Sequence, residues 1–246
     1  MSKNKIFIKY QLLVIGAGGT GTYFLKEVSR MLAGNPSIMP HIYSLTIMDG
    51  DIVEEKNLAR QCYQKEDIGR KKSNVMAEIL NATFDLSWGS YPFYLTDSKT
   101  LEPILEEPKQ NDFTFIPVII GCVDNHSARL QCETFFSEHN NCIYFDAANE
   151  YDNGECVFSY KLNGNVIGPC RSHYFPQILK EDLRPVTEIS CEELNSVSPQ
   201  HILTNMASGM QLLVAFNNLL KGVIKPGISF FNPFTFSNEF VEFKNV

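Results

Sequence analysis

A glycine-rich turn follows the first apolar run of the chain, Leu12–Ile15. This turn, residues 16–21, is called the glycine turn below, and it contributes Gly16, Gly18, Gly19 and Gly21. Glycine permits a tight turn and lets a ligand approach the backbone N–H groups that begin the next helix. A strand, a glycine-rich turn and a helix in this order favour a nucleotide phosphate as the ligand. The turn alone leaves both hydride-transfer and ATP chemistry open.

Amide and cationic side chains further along the chain could bind phosphate oxygens. Asn57, Arg60 and Gln61 lie in one short string, Asn-Leu-Ala-Arg-Gln. Arg60 can donate two hydrogen bonds to phosphate oxygens in a fork geometry that lysine cannot offer. Lys72 would place a point charge near the terminal phosphates of a bound nucleotide, and Lys71 competes with it from the preceding position.

Carboxylates follow two of the predicted strands. Asp49 ends the second strand, where a carboxylate can accept hydrogen bonds from both ribose hydroxyls. Asp51 is a second nucleotide-binding candidate, although its position also suits a solvated turn acid. Asp124 and Asn125 follow a buried strand, and Asp124 suits Mg²⁺, which binds through one or two carboxylates plus phosphates. Asp124 also suits the N-cap of the next helix.

This residue set favours ATP chemistry over hydride transfer. ATP chemistry depends on in-line positioning of the reacting groups and on neutralisation of the phosphate charge. Arg60, Lys72 and Asp124 supply these functions, whereas an NAD(P)-dependent oxidoreductase leaves them unexplained.

The elements that must position these residues alternate between strand and helix in the first half of the chain. Predicted strands cover 12–15, 44–48, 91–95, 117–122 and 142–146, and predicted helices cover 22–32, 72–82, 127–137 and 205–220. The turns at Asp152-Asn153-Gly154 and Asn163-Gly164 predict antiparallel hairpins in the second half. Residues 168–200 lack clear periodicity and are interpreted as a long functional loop or crossover.

Taken as a set, these motifs resemble the ThiF/MoeB/HesA family of ubiquitin-like-protein activating enzymes. The resemblance covers residues 10–160 closely and continues more weakly to about 221, and the layout is similar to that of ThiF-type proteins from bacterial PRTRC gene clusters. It implies an α/β fold with a doubly wound, Rossmann-like, mostly parallel sheet and antiparallel strands added in the C-terminal half. It also implies an adenylyltransferase that joins ATP, with Mg²⁺, to the C-terminal carboxylate of a small ubiquitin-like or sulfur-carrier protein.

The resemblance predicts one adenylation domain over residues 1–246. Residues 1–150 would form the nucleotide-binding half, and residues 151–246 would bind the carrier protein and support a homodimer. Some relatives carry an arginine on an N-terminal helix that reaches the partner subunit's ATP site, and no arginine precedes the first strand here. This difference leaves a non-catalytic nucleotide-binding module as the alternative from another class.

Two cysteine motifs match the family only in part. Cys170 and His173 stand where relatives have a Cys-x-x-Cys pair, but residues 192–246 contain no cysteine. Two ligands do not close a tetrahedral site, so the ligand count disfavours bound zinc. Cys191 resembles the thioester-forming cysteine of some relatives, although the adjacent Glu192 and Glu193 disfavour its thiolate. An ordinary surface thiol is the alternative for Cys191.

Composition excludes several other classes of protein. The net charge of −7 and the pI near 5.3 give no electrostatic basis for binding nucleic acid. The N-terminus lacks the apolar segment of a signal peptide, and no apolar run approaches the length of a membrane span. Seven cysteines, an odd number, favour reduced thiols. We therefore expect a cytoplasmic protein with no membrane partner.

Six phenylalanines crowd the C-terminal tail, residues 228–243. They are Phe230, Phe231, Phe234, Phe236, Phe240 and Phe243. Packing in the core or at a dimer contact is favoured over an apolar platform for a ubiquitin-like partner, because aromatic residues dominate cores.

Overall fold

A computed structural model describes residues 7–106, 113–180 and 200–244. Within these ranges, nine strands form one sheet in the order β3-β2-β1-β4-β5-β6-β8-β9, with β7 paired to β6. Strands β1 to β5 pair in parallel, and β6 to β9 are antiparallel additions. The strands are β1 (Phe7–Ile15), β2 (Ile42–Met48), β3 (Trp88–Tyr91), β4 (Phe113–Gly121), β5 (Cys142–Asn149), β6 (Gly154–Leu162), β7 (Asn165–Gly168), β8 (Gly227–Asn232) and β9 (Ser237–Glu242).

Helices cover both faces of the sheet. They are α1 (Gly19–Ala33), α2 (Lys72–Phe84), α3 (His126–Glu138), the short α4 (Arg171–Tyr174) and α5 (Ile202–Leu220). Strand β1 shows the two layers: Leu12 and Val14 pack in the core with α1, α2 and α5, while Leu13 and Ile15 pack in a second core with α3. Burial on both faces explains the unbroken apolar run of β1. The predicted doubly wound α/β fold with antiparallel C-terminal strands is confirmed.

The third strand differs from the prediction over residues 91–95. Strand β3 occupies Trp88–Tyr91, and the chain leaves the sheet after Tyr91. Leu95 is buried in the core that contains α3, and the Tyr94 hydroxyl donates to the Asp51 carboxylate. The apolar residues after Tyr91 therefore pack beside the cavity and do not form strand hydrogen bonds.

The phenylalanines of the tail, residues 228–243, are mostly not in the core of the chain, where packing was one of the two favoured predictions. Of these six phenylalanines only Phe231 is buried, and Phe236 is 95% exposed at the turn between β8 and β9.

The predicted loop 168–200 contains the last residue of β7, the short helix α4 and a 3-10 turn at Pro176–Leu179. Residues 181–199 of this loop lie outside the described ranges. No helix of the described ranges combines the length and apolarity needed to cross a bilayer.

The parallel strands end at a common edge of the sheet. The backbone N–H of Gly16 donates to the Met48 carbonyl over 2.8 Å, and the N–H of Cys122 donates to the Ile15 carbonyl over 2.8 Å. These bonds hold the segments after β1, β2 and β4 side by side. Strand β1 lies between β2 and β4, and the helices that follow β1 and β4 pack on opposite faces of the sheet, which opens a crevice at the carboxyl edge.

Candidate nucleotide-binding site

A cavity of about 880 Å³ opens at this edge, within the usual size range of ligand sites. The glycine turn, the segment after β2, the 3-10 turn before Arg60, the start of α2 and the loop after β4 all line it. Of the residues predicted to bind nucleotide, the lining includes Gly16, Gly18, Gly19, Asp49, Asp51, Asn57, Arg60, Gln61, Lys72, Asp124 and Asn125. Gly21 does not line the cavity and lies in the first turn of α1.

The glycines of the turn are required mainly by close packing. Gly16 has a φ of 95°, and a Cβ there would lie 2.4 Å from the Cys122 carbonyl oxygen. A Cβ on Gly21 would collide with the Gly16 carbonyl, and one on Gly19 would meet the Asn205 side chain at 2.4 Å. A Cβ on Gly18 would meet only Gln61 within 4 Å, so this position leaves room for a ligand.

The start of α1 is suited to an anion from outside the chain. Gly18 is its N-cap residue, and among the described residues no side chain caps this end of the helix. The first N–H groups of a helix have no intrahelical acceptor, and the helix dipole places partial positive charge there. A phosphate in the cavity would fit this end of the helix.

Asp49 is held where its carboxylate can face a ribose. One carboxylate oxygen accepts from the N–H of Ala17 over 2.6 Å, and the other accepts from the N–H of Asp51 over 2.8 Å. Each oxygen keeps a further lone pair for a hydroxyl group. Burial raises the pKa of Asp49, with the Lys72 ammonium opposing that shift and the neighbouring Asp51 adding to it.

Lys72 is buried at the start of α2, and its ammonium lies 2.9 Å from a carboxylate oxygen of Asp51. Burial tends to raise the pKa of Asp51, but Lys72 and the Tyr94 hydrogen bond outweigh it, so that the pKa lies below its usual value. Asp51 therefore holds Lys72 in place. Lys71 is exposed and donates to the Gly50 carbonyl, so of these two adjacent lysines it is Lys72 that lines the cavity.

Asn57 organises the segment that carries Arg60. Its side-chain oxygen accepts from the N–H of Glu54 over 2.9 Å, and its backbone carbonyl accepts from the N–H groups of Arg60 and Gln61. No hydrogen bond or ion pair engages the Arg60 side chain within the described residues. The guanidinium of Arg60 is thus available to a ligand.

Asn125, and not Asp124, caps helix α3. The Asn125 side chain accepts from the N–H of Ala128 over 2.8 Å. The Asp124 side chain is exposed at the cavity, and in the described part of the chain no cation pairs with it. A single free carboxylate suits Mg²⁺ bound largely by phosphates and water.

The described part of the chain brings no further metal ligands to Cys170 and His173. Within the described residues, no group of three or more His, Cys, Asp and Glu side chains could hold a metal ion. Burial raises the pKa of the Cys170 thiol well above its usual value, and the His173 ring packs against Tyr174 and Phe243. Cys191 lies outside the described residues.

Sequence reasoning missed several residues that shape the site. Tyr94 contacts Asp51, and the buried Asn205 donates to the hydroxyl of Thr20 in the first turn of α1. Arg129 and Arg171 also line the cavity and share the buried carboxylate of Asp146. Asp146 could have been found from the sequence, because it lies near the end of an apolar predicted strand, as Asp49 and Asp124 do.

A model of the ThiF family matches residues 4–244. The chain is 38% identical over 84 residues to the Nedd8-activating enzyme E1 catalytic subunit of Drosophila melanogaster, an alignment that covers 33% of this chain and 17% of that protein. It is 25% identical over 126 residues to ubiquitin-like modifier-activating enzyme 5 of Oryza sativa subsp. japonica, covering 49% and 28%. The chain therefore spans less than a third of the length of either curated relative.

Two solved structures share the fold. The crystal structure of PaaA superposes with a TM-score of 0.63 at 14% identity, covering 95% of this chain and 64% of that one. The structure of E. coli MccB with ATP superposes with a TM-score of 0.63 at 15% identity, covering 97% and 65%.

Proposed function

The chain belongs to the ThiF family, and from that premise we propose that it is an ATP- and Mg²⁺-dependent adenylyltransferase. Its substrate would be the C-terminal carboxylate of a small ubiquitin-like or sulfur-carrier protein. The observation that carries the proposal is the cavity that brings the glycine turn, Asp49, Arg60, Lys72 and Asp124 to one edge of the sheet. Both curated relatives are activating enzymes of ubiquitin-like modifiers, which supports the same reaction class.

In the proposed reaction, the substrate carboxylate attacks the α-phosphorus of ATP. A bond forms between a carboxylate oxygen and the phosphorus, and the bond from that phosphorus to the bridging oxygen breaks. Pyrophosphate leaves with the electron pair, and the acyl-adenylate remains. No proton has to be removed, so the chain contributes in-line positioning and charge neutralisation.

The cavity residues divide this work by their chemistry. Asp49 holds the ribose, and the N-terminus of α1 faces the phosphates. Arg60 donates to phosphate oxygens, and Lys72 neutralises charge on the leaving pyrophosphate while Asp51 fixes its position. When bound, Mg²⁺ would be held by Asp124 and would neutralise further phosphate charge.

A thioester at Cys191 would be a separate later step that adenylation does not require. In that step the thiolate of Cys191 attacks the acyl-adenylate and AMP leaves. The expected product is a hydroxylamine-sensitive adduct with the carrier protein, lost in Cys191→Ala. Adenylation that proceeds without any such adduct would restrict the enzyme to the first step.

ATP–pyrophosphate exchange tests the proposal against its two alternatives. With a small carrier protein that ends in glycine, we expect exchange in the wild type and its loss in Asp124→Ala. Asp152→Ala, an exposed hairpin carboxylate outside the cavity, is the matched control and retains exchange. A non-catalytic module would bind ATP without exchange, and an NAD(P)-dependent oxidoreductase would bind nicotinamide cofactor in preference to ATP. Either result overturns the proposal.

A further inference from the structure

A cluster of buried charges lies beneath the loop that carries Asp124. It consists of Asp146 on β5 between the guanidinium groups of Arg129 and Arg171, and it is called the Asp146 cluster here. Each of the three residues is at most 4% exposed. Burying charges costs desolvation free energy, so such a cluster is weak evidence for stability and calls for a role in placing groups.

The position of Asp146 is set by the sheet. It pairs with Gly121, the last residue of β4, and a Cβ on Gly121 would lie 2.9 Å from an Asp146 carboxylate oxygen. Glycine at 121 therefore leaves room for the carboxylate at the carboxyl edge. The loop that begins with Cys122 passes over this point and carries Asp124 into the cavity.

Arg129 ties this loop to β5. Its terminal nitrogen Nη2 donates to the Val123 carbonyl over 2.6 Å and to the Ala147 carbonyl over 3.2 Å, and its Nε lies 3.3 Å from Asp146. Val123 immediately precedes Asp124. With Asn125 fixed as the cap of α3, the backbone on both sides of Asp124 is held.

Arg171 joins the same carboxylate from α4. It donates to the other oxygen of Asp146, to the Asp146 backbone carbonyl over 3.3 Å and to Glu155 on β6. Arg129 and Arg171 thus compete for no atom and share one carboxylate. Removing either arginine leaves Asp146 with one cationic partner in place of two.

We propose that Arg129 is a positioning residue that orients Asp124 toward the metal of the bound nucleotide, and that Arg171 acts on Arg129 through Asp146. This inference rests on the proposed function, because it takes ATP with Mg²⁺ as the ligand. Lysine at position 129 keeps the charge but cannot bridge two carbonyls and a carboxylate as the planar guanidinium does. The Val123 carbonyl then loses its donor, and the loop that carries Asp124 is released.

The test is ATP affinity measured calorimetrically with Mg²⁺ and with EDTA, which requires no carrier protein. In Arg129→Lys we expect the gain in affinity from Mg²⁺ to fall about tenfold, the worth of one hydrogen bond to a charged group. Affinity in EDTA should change less than about twofold, since the Nε and Nη2 groups of Arg129 already donate to Asp146 and to the Val123 and Ala147 carbonyls. Arg171→Lys should show the same pattern with a smaller loss.

Two controls separate positioning from stability. Arg30→Lys changes an exposed arginine of α1 and should leave both affinities unchanged. Ser29→Ala removes the acceptor of the buried Trp88 indole N–H; it should lower the melting temperature without altering the gain from Mg²⁺.

Combining Arg129→Lys with Asp124→Ala tests whether the arginine acts through Asp124. The double variant should match Asp124→Ala alone in its gain from Mg²⁺. This inference would be overturned if Arg129→Lys kept the full gain in ATP affinity from Mg²⁺, or if it lost as much affinity in EDTA as with Mg²⁺. The proposed function would still stand in either case, provided that the wild type binds Mg²⁺-ATP. A wild-type protein that binds no ATP would overturn both.

Discussion

At the residue scale, Arg60 and Lys72 bring the same charge to the cavity under different constraints. Lys72 is buried and paired with Asp51, so its ammonium is placed before a ligand arrives. Arg60 is half-buried and has no side-chain partner within the described ranges. We infer that Lys72 acts as a fixed point charge and that Arg60 supplies the directional hydrogen bonds.

Arg60→Lys tests the fork geometry of that arginine. The substitution keeps the charge and removes the second parallel hydrogen bond, which is worth about 1.5–3 kcal/mol when the acceptor is charged. We therefore expect ATP–pyrophosphate exchange to fall roughly tenfold to a hundredfold, since 1.4 kcal/mol is a factor of ten. Unfolding should be unchanged. Arg70→Lys, which alters an exposed arginine paired with Glu78, is the control, and equal losses in both variants would refute the assignment.

Gly16→Ala tests the close approach within the glycine turn. The substitution forces a left-handed backbone on alanine and drives its Cβ into the Cys122 carbonyl at 2.4 Å. Gly69→Ala is the matched control, with a φ of 88° and no atom within 4 Å of its Cβ. Urea unfolding should show a loss of about 1–2 kcal/mol for Gly69→Ala, from backbone strain alone. Gly16→Ala should lose about 1–3 kcal/mol more; equal losses would show that the contact does not matter.

Part of the cavity lining was predictable because strand ends meet at one edge of a parallel sheet. Asp49 and Asp124 could be placed together on that ground alone. The hydrogen bond from Tyr94 to Asp51 could not, because it depends on where the chain goes after β3, and the ion pair of Asp51 with Lys72 depends on where α2 begins. The same limit applies to Asp124 as a helix cap, since Asp and Asn are equivalent candidates until the backbone shows which one precedes the first turn.

At the element scale, α1 and α5 fix the glycine turn by packing closely across the first core. Gly209 of α5 allows that approach: a Cβ there would lie 3.1 Å from the Phe24 nitrogen and 3.4 Å from the Thr20 carbonyl oxygen. One turn earlier on α5, Asn205 fills the space that glycine at 19 leaves open. The start of α1 is therefore set by a helix that is distant in sequence, which local periodicity does not reveal.

Gly209→Val tests this packing. The branched side chain would push α5 away from α1, and overpacking of this kind costs about 1–3 kcal/mol. Thermal unfolding should show the loss, and ATP affinity should fall because the N-terminus of α1 shifts. Met210→Val, on the exposed side of the same helix, is the control. It should leave ATP affinity unchanged and lower thermal stability only by the small difference in helix propensity between methionine and valine. Full ATP affinity in Gly209→Val would contradict a role for α5 in placing the turn.

Strand and tail predictions show where periodicity succeeds and where it does not. The continuous apolar runs of β1 and β4 identify strands buried on both faces. Residues 92–95 have similar residue types but leave the sheet to pack beside the cavity. The aromatic tail forms the antiparallel hairpin of β8 and β9 with Phe236 at its exposed turn, whereas composition alone favoured packing in the core or at a dimer contact.

At the scale of the whole molecule, the sheet order places one crevice between the segments that follow β1, β2 and β4. The antiparallel strands extend the sheet beyond β5, on the side away from the parallel strands β1 to β4. This extension carries Phe236 and other exposed apolar side chains. Nucleotide binding and carrier binding would thus use neighbouring but separate regions. The predicted homodimer would be tested by sedimentation at several protein concentrations.

The central claim concerns which bond of ATP is broken. The proposed attack on the α-phosphorus predicts AMP and pyrophosphate when the wild type is incubated with ATP, Mg²⁺, a glycine-ending carrier protein and hydroxylamine, which releases AMP by cleaving the acyl-adenylate. Arg60→Lys and Asp124→Ala should slow their release in step with the loss of exchange. Chromatography of the nucleotides measures this directly. Formation of ADP and phosphate in place of AMP and pyrophosphate would contradict the account.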